Sequence, residues 1–398
     1  MSQDDPLLRW RPGFPITERS HYLISNSLGA MPARARASVG EYLDTWDGRG
    51  VRAWAEGWWT LQDEVAGLLE GILGVAKGTV SMHQNVAIAS QAILSCFRFE
   101  GRRNKIVLVE PEFPSLLYLY ESQRERGAEI VRVPGDAQGI GVDLERLLAA
   151  IDERTLLVPV SHVLFRTAFV QDAQAIVRKA RAVGAFVILD VFQAVGTLPL
   201  TLREWGVHAA VGGALKFLCG GPGNCFLYVD PEERKHLRPT FTGWAAHRQP
   251  FQFAPQHELR EDGGRFLNGT PNVPALYAGR EGIRIVAEIG SAAIRSKSMR
   301  QTALLVRLAQ AQGYKVSAPL TPAQRGGTVA IDVPDGYEVC QQLLAEDYVV
   351  DYRPQAGIRI APHFYTQDAE CEAIVARIAE ILRTGAHARF QGQARRPG

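Results

Sequence analysis

The chain has 398 residues, long enough for two domains or for one large α/β domain with an appendage. Apolar residues make up 46% and charged residues 22%, the balance of a globular protein, and a net charge of +2 gives no electrostatic basis for binding nucleic acid or a membrane surface. No apolar stretch approaches the ~20 residues that cross a bilayer, and the N-terminus lacks the apolar core of a signal peptide. The five cysteines are scattered, with no metal-ligand spacing, so a metal is not expected and a cytoplasmic setting is.

Strand-like and helix-like segments alternate through the middle of the chain. Ile106 to Glu110 reads as a strand, and Pro114 to Arg124 as a helix with proline in its first turn. Glu129 to Val133 is a strand and Val142 to Ile151 a helix. Leu156 to Val160 is a strand, followed by a helix from Ala173 to Val183 that Gly184 stops. Phe186 to Asp190, Ala209 to Gly213 and Cys225 to Val229 are further strands. Nearly continuous apolar strands separated by helix-length crossovers predict an α/β fold, a mainly parallel sheet covered on both faces.

From about residue 280 the pattern changes. Ile283 to Gln312 reads as one long helix, Thr328 to Val333 and Ile358 to Ile360 as strands, and Asp368 to Leu382 as a final helix. The expected organisation is an N-terminal segment over 1–40, a large domain over 41–280, a small α+β domain over 281–385 and a frayed tail over 386–398.

Two strand ends carry the chemistry. Asp190 closes the run Ala185-Phe186-Val187-Ile188-Leu189-Asp190, and Lys216 follows Val211-Gly212-Gly213-Ala214-Leu215 ahead of a glycine-rich turn. Apolar and glycine flanks desolvate the amine and lower its pKa, which suits a lysine that condenses with a carbonyl. A lysine in a Schiff base and a carboxylate on the pyridine nitrogen are what a pyridoxal 5'-phosphate (PLP) site requires. Each residue alone has an ordinary reading: a snorkelling lysine, and a strand-end aspartate capping a helix.

Further segments occur in a fixed order: Ser25-Asn26-Ser27-Leu28-Gly29, Trp54 to Trp59, Phe113-Pro114-Ser115, Gly243-Trp244-Ala245-Ala246-His247, Asn268-Gly269-Thr270-Pro271 and Gly357-Ile358-Arg359-Ile360-Ala361-Pro362. Together with Asp190 and Lys216 they resemble the kynureninase-like branch of the class V, fold type I PLP enzymes. The resemblance runs from about Tyr22 to about Leu382. It implies the aspartate-aminotransferase-like fold, a large domain with a seven-stranded sheet plus a smaller α+β domain. It implies that Phe113 stacks on the pyridine ring, that Arg359 grips the substrate carboxylate, and that Trp244 and Thr270 reach the phosphate from a second subunit of a homodimer.

Other positions keep two readings. His83, Gln84 and Asn85 begin a helix expected over Asn85 to Phe97, either as a phosphate cradle or as a plain polar cap. Ser27 and Trp58 border the substrate pocket, or Trp58 and Trp59 form an aromatic helix face.

Three positions depart from the family. Gln193 stands where kynureninases have histidine, Leu215 where they have tyrosine, and Leu116 where they have aspartate. Gln193 is retained as a cofactor contact, but neither it nor Leu215 handles protons near neutral pH. The expected activity is therefore a lyase type, cleaving at the α/β carbons of a β-substituted L-amino acid. A kynureninase-type hydrolase is the alternative, and an aminotransferase or decarboxylating deaminase on the same scaffold ranks below it. A desulfurase needs a loop cysteine nucleophile, and none of Cys219, Cys225, Cys340 or Cys371 has that setting. A non-catalytic protein of this fold would have no need for both Lys216 and Asp190.

Overall fold

A computed structural model describes residues 5–393; the last five residues of the expected frayed tail lie outside that range. Seven strands form the main sheet: β1 (Val80–His83), β2 (Lys105–Val109), β3 (Glu129–Val133), β4 (Thr155–Ser161), β5 (Phe186–Asp190), β6 (Ala209–Gly213) and β7 (Cys225–Val229). Their spatial order is β1-β7-β6-β5-β4-β2-β3. β3, β2, β4, β5 and β6 run parallel, while β7 is antiparallel to both β6 and β1. All five residues of β2, β5, β6 and β7 are buried, because apolar helices cover both faces. β1 is the strand that the sequence reading did not isolate; Ser81 and His83 break its apolar run.

Helix boundaries follow local chemistry. Asp172 caps the helix Ala173–Val183 by accepting from Ala175 N at 2.9 Å, and Gly184 ends it in a left-handed conformation at φ 71°. Asn85 lies outside its helix as the N-cap, accepting from Ile88 N, so the helix spans Val86–Leu94 rather than starting at Asn85. The expected single helix over 283–312 is two, Val273–Ile289 and Ser291–Ala311, broken at Gly290. Apolar spacing continues across that break, so periodicity alone does not reveal it.

A second sheet contains β8 (Lys315–Val316), β9 (Val329–Asp332), β10 (Asp351–Arg353) and β11 (Gly357–Ile360), in the order β10-β11-β9-β8 and antiparallel throughout. The helix Asp368–Thr384 packs on it, and Ala386–Phe390 continues as a 3-10 turn with His387 buried. Residues 21–24 lie against the C-terminal part of the chain. His21–Tyr22 pair with Tyr348–Val349, and Ile24 bridges Ala361 just beyond β11. Among the described residues, no helix is long and apolar enough to cross a membrane.

Candidate active site

Asp190 is the last residue of β5 and Lys216 lies just beyond the end of the adjacent parallel β6, at the carboxyl edge where open α/β sheets place their ligands. Two aromatic rings bracket the amine. Lys216 Nζ sits 5.8 Å from the centroid of Phe113 and 4.5 Å from that of Phe192. Phe192 gets this close because Gly213 has no side chain: a Cβ there would meet Phe192 Cζ at 2.4 Å. Lys216 as a residue is half-buried, but protein surrounds the amine, and that burial pulls its pKa down to about 8 against the support of Asp190. Among the described residues, Lys216 Nζ has no hydrogen-bond or ion-pair partner; its contacts are the two rings.

Asp190 is buried, and desolvation followed by the nearby Glu112 charge pushes its pKa up to about 7. Its Oδ1 accepts from Phe192 N at 2.7 Å. A cationic N–H placed opposite it would favour the ionised form. Glu112, which the sequence reading missed, is also buried and is raised by desolvation. It accepts from Phe113 N and from Ser161 N, each at 2.8 Å, and from Ser161 Oγ. Glu112 thereby ties the loop carrying Phe113 to the end of β4, whose Ser161 is the register partner of Asp190.

Arg359 projects from β11 and is 3% exposed. Its Nε and Nη2 donate to the two Asp351 oxygens at 2.8 and 2.5 Å, and its Nη1 donates to Phe165 O at 2.7 Å. A guanidinium has five N–H donors, so this bonding leaves two for a ligand carboxylate. Arg353 Nη2 also reaches Asp351 Oδ2, at 3.0 Å. Phe165 in turn meets Phe113 edge-on at 5.3 Å.

The segment from Ser25 to Gly29 lies against the lysine turn. Gly29 N donates to Leu215 O at 2.8 Å, and a Cβ on Gly29 would fall 2.1 Å from Lys216 O, so the approach requires glycine. Asn26 O accepts from Gln193 Nε2 at 3.1 Å, and Ser27 is part-exposed beside it. Leu215 contributes a backbone carbonyl here, not a side-chain proton donor.

The remaining expected positions are more scattered. His83 is buried, with its Nε2 3.0 Å from Ser81 Oγ, and burial drops its pKa to about 4, so the ring is neutral. Gln84 is exposed. His83, Gln84 and Thr270 line one cavity together with Asn224 and Asn268 of the same chain. Trp244 forms a short 3-10 turn with its ring against Trp59 and Phe251. Trp58 is buried in an aromatic cluster with Tyr42 and Trp54, the setting of the helix-face reading. Burial raises the thiols of Cys219, Cys340 and Cys371, away from nucleophilic thiolate chemistry.

This arrangement suits PLP. A buried acid lacks a cationic partner, and a neutralisable amine stands between aromatic faces. Fold and site together define a PLP-dependent enzyme of fold type I. The aminotransferase class-V family model matches residues 25–349, and the chain belongs to that family, in its kynureninase-like branch. It is 29% identical to a kynureninase of Burkholderia pseudomallei (strain 1106a), over 97% of this chain and 95% of that protein. It is 30% identical to a kynureninase of Pseudomonas fluorescens, over 98% and 96%. The apo cysteine desulfurase of Thermococcus onnurineus NA1 superposes with a TM-score of 0.85 at 18% identity, covering 96% of this chain and 99% of that one. The cystine C-S lyase C-DES, in complex with its product cysteine persulfide, superposes at 0.83 with 20% identity, covering 92% and 99%. These two structures are likenesses of fold.

The Lys216 environment makes one pH dependence explicit. Condensation needs the neutral amine, and burial lowers the pKa from the ~10.4 of a free lysine to about 8. The amine is protonated below that value and neutral above it. PLP uptake by the apoprotein, followed by absorbance, is therefore expected to accelerate as pH rises through about 8. An inflection near the free-lysine value would contradict the enclosure described here.

Proposed function

We propose that the protein is a lyase-type PLP enzyme that cleaves a bond at the α/β carbons of a β-substituted L-amino acid. The observation that carries this reading is the pairing of the Lys216–Asp190 site with Leu215 and with a Gln193 already engaged by Asn26 O. Bound at this site, PLP supplies an electron sink held by Asp190. Phe113 covers the ring face, and the two free N–H groups of Arg359 take the substrate carboxylate. With PLP bound, that grip would orient the substrate's Cα bonds and so decide which of them breaks. Lys216 Nζ takes the proton from Cα. No side chain at Leu215 or Gln193 delivers a proton to an acyl carbon, so a β-substituent that departs unaided is the best substrate.

A kynureninase-type hydrolase is the second reading, favoured by near-full-length similarity to kynureninases. A product screen by mass spectrometry over a broad amino-acid panel separates the two. Pyruvate plus a thiol or other leaving group supports the lyase. Anthranilate from kynurenine supports the hydrolase and overturns the lyase. Conversion of PLP to its amine form identifies an aminotransferase, and carbon dioxide a decarboxylase.

The active unit in this reading is a homodimer with shared sites. Support comes from exposed Thr270, and from exposed Phe251 and Phe253 beside Trp244. The five free cysteines fit a reducing, cytoplasmic setting.

A further inference from the structure

Asn26 is 1% exposed, yet neither its Oδ1 nor its Nδ2 has a hydrogen-bond partner. Its backbone is well held: Asn26 O accepts from Gln193, and its neighbour Ser25 bonds Tyr365 through the side chain at 2.7 Å. The side chain alone is unserved. A buried amide without partners is destabilising, so native proteins seldom keep one unless something else completes it.

Its location indicates what does so. Two residues before Asn26, Ile24 bridges Ala361, which lies two positions beyond Arg359 on the same chain segment. Three residues after it, Gly29 is bonded to Leu215 and pressed against the Lys216 carbonyl. Asn26 thus lies on the short segment that runs from the end of the strand bearing Arg359 to the turn bearing Lys216. Of the elements assigned to PLP, Asp190 on β5 and Phe113 on the loop after β2 lie on other strand ends, while Gln193 meets only the Asn26 backbone carbonyl and leaves the Asn26 side chain unserved.

We propose that the Asn26 carboxamide is a specificity-determining contact to the bound amino acid, taking a β-substituent that presents a hydrogen-bond acceptor beside a donor. The complement follows from the donor inventory: Oδ1 accepts and Nδ2 donates, so an amide-like group satisfies both, whereas an alkyl or carboxylate group of equal size does not. This inference rests on the reading of Arg359 and Lys216 as the ends of the substrate site, and it narrows the substrate class within that reading.

The test uses PLP-loaded protein and three side chains of similar size: L-asparagine, L-aspartate and L-leucine. Each is titrated against the visible absorption band to obtain Kd. The wild type is expected to bind L-asparagine about 10-fold more tightly than the other two. In Asn26→Leu the preference is expected to pass to L-leucine. PLP-loaded Asn26→Leu without amino acid is expected to melt about 2 °C above wild type, because an unserved buried amide has been replaced by an apolar group of similar size. Asn26→Ser, which retains one donor and acceptor, is expected to keep part of the preference. The inference is overturned if the loaded variant melts below wild type, since Asn26 would then serve PLP or the fold. It is also overturned if the three amino acids bind wild type equally. If all three bind with spectral changes that Lys216→Ala and Arg359→Lys leave untouched, the underlying site reading fails instead.

Discussion

Lys216→Ala is expected to abolish the visible absorption of PLP-loaded protein and to leave no borohydride-fixed adduct on the corresponding peptide. Turnover falls by on the order of 10^4-fold, because the same amine both holds the cofactor and moves the Cα proton. The specificity of the expected labelling comes from the state of the other buried lysines. Lys297 Nζ is bonded to Phe364 O at 2.6 Å and to Asp5 at 2.9 Å. Lys105 Nζ is bonded to Ala150 O at 2.8 Å and to Asp152 at 2.7 Å. Both amines are held by a carbonyl and a carboxylate, while that of Lys216 faces only aromatic rings. An adduct mapped to Lys297 or Lys105 in the wild type would end the present account of the site.

Arg359→Leu is expected to cost about 3 kcal/mol of stability in urea unfolding, besides removing the carboxylate grip. The loss comes from Asp351, which is left buried with its main partner gone; the side chains of the pair are 3% and 4% exposed. Arg353 keeps its contact to Asp351 and holds the loss to the lower end of the range for broken buried pairs. The double variant Arg359→Leu/Asp351→Leu is expected to recover most of that stability while still failing to bind amino acids. Equal stability in the single and double variants would show that the pair is not the source of the effect.

The placement of Asp190 and Lys216 at neighbouring strand ends and the parallel strands were legible because each depends on local signals. Apolar runs end at a single polar residue, and glycine-rich turns follow. Asp351 was not legible for a different reason. It stands opposite Arg359 in the β10–β11 register, a relation set by the hairpin turn and invisible in spacing alone. Glu112 had a plain acidic appearance in Glu110-Pro111-Glu112, and its role depends on β2 lying beside β4. Asn26 was read only as part of a motif, since its isolation becomes evident when the surrounding partners can be counted. The positions around Trp244 and Thr270 carry an interpretation that needs a second subunit, which one chain's periodicity does not describe.

The short run from Ile24 to Gly29 is anchored at one end to Ala361 and at the other to Leu215. It acts as a tether with little slack. A displacement of Ala361 relative to Leu215 would load this tether. If Arg359 seats the substrate carboxylate as proposed, that seating and the placement of the Lys216 turn are linked through this one segment.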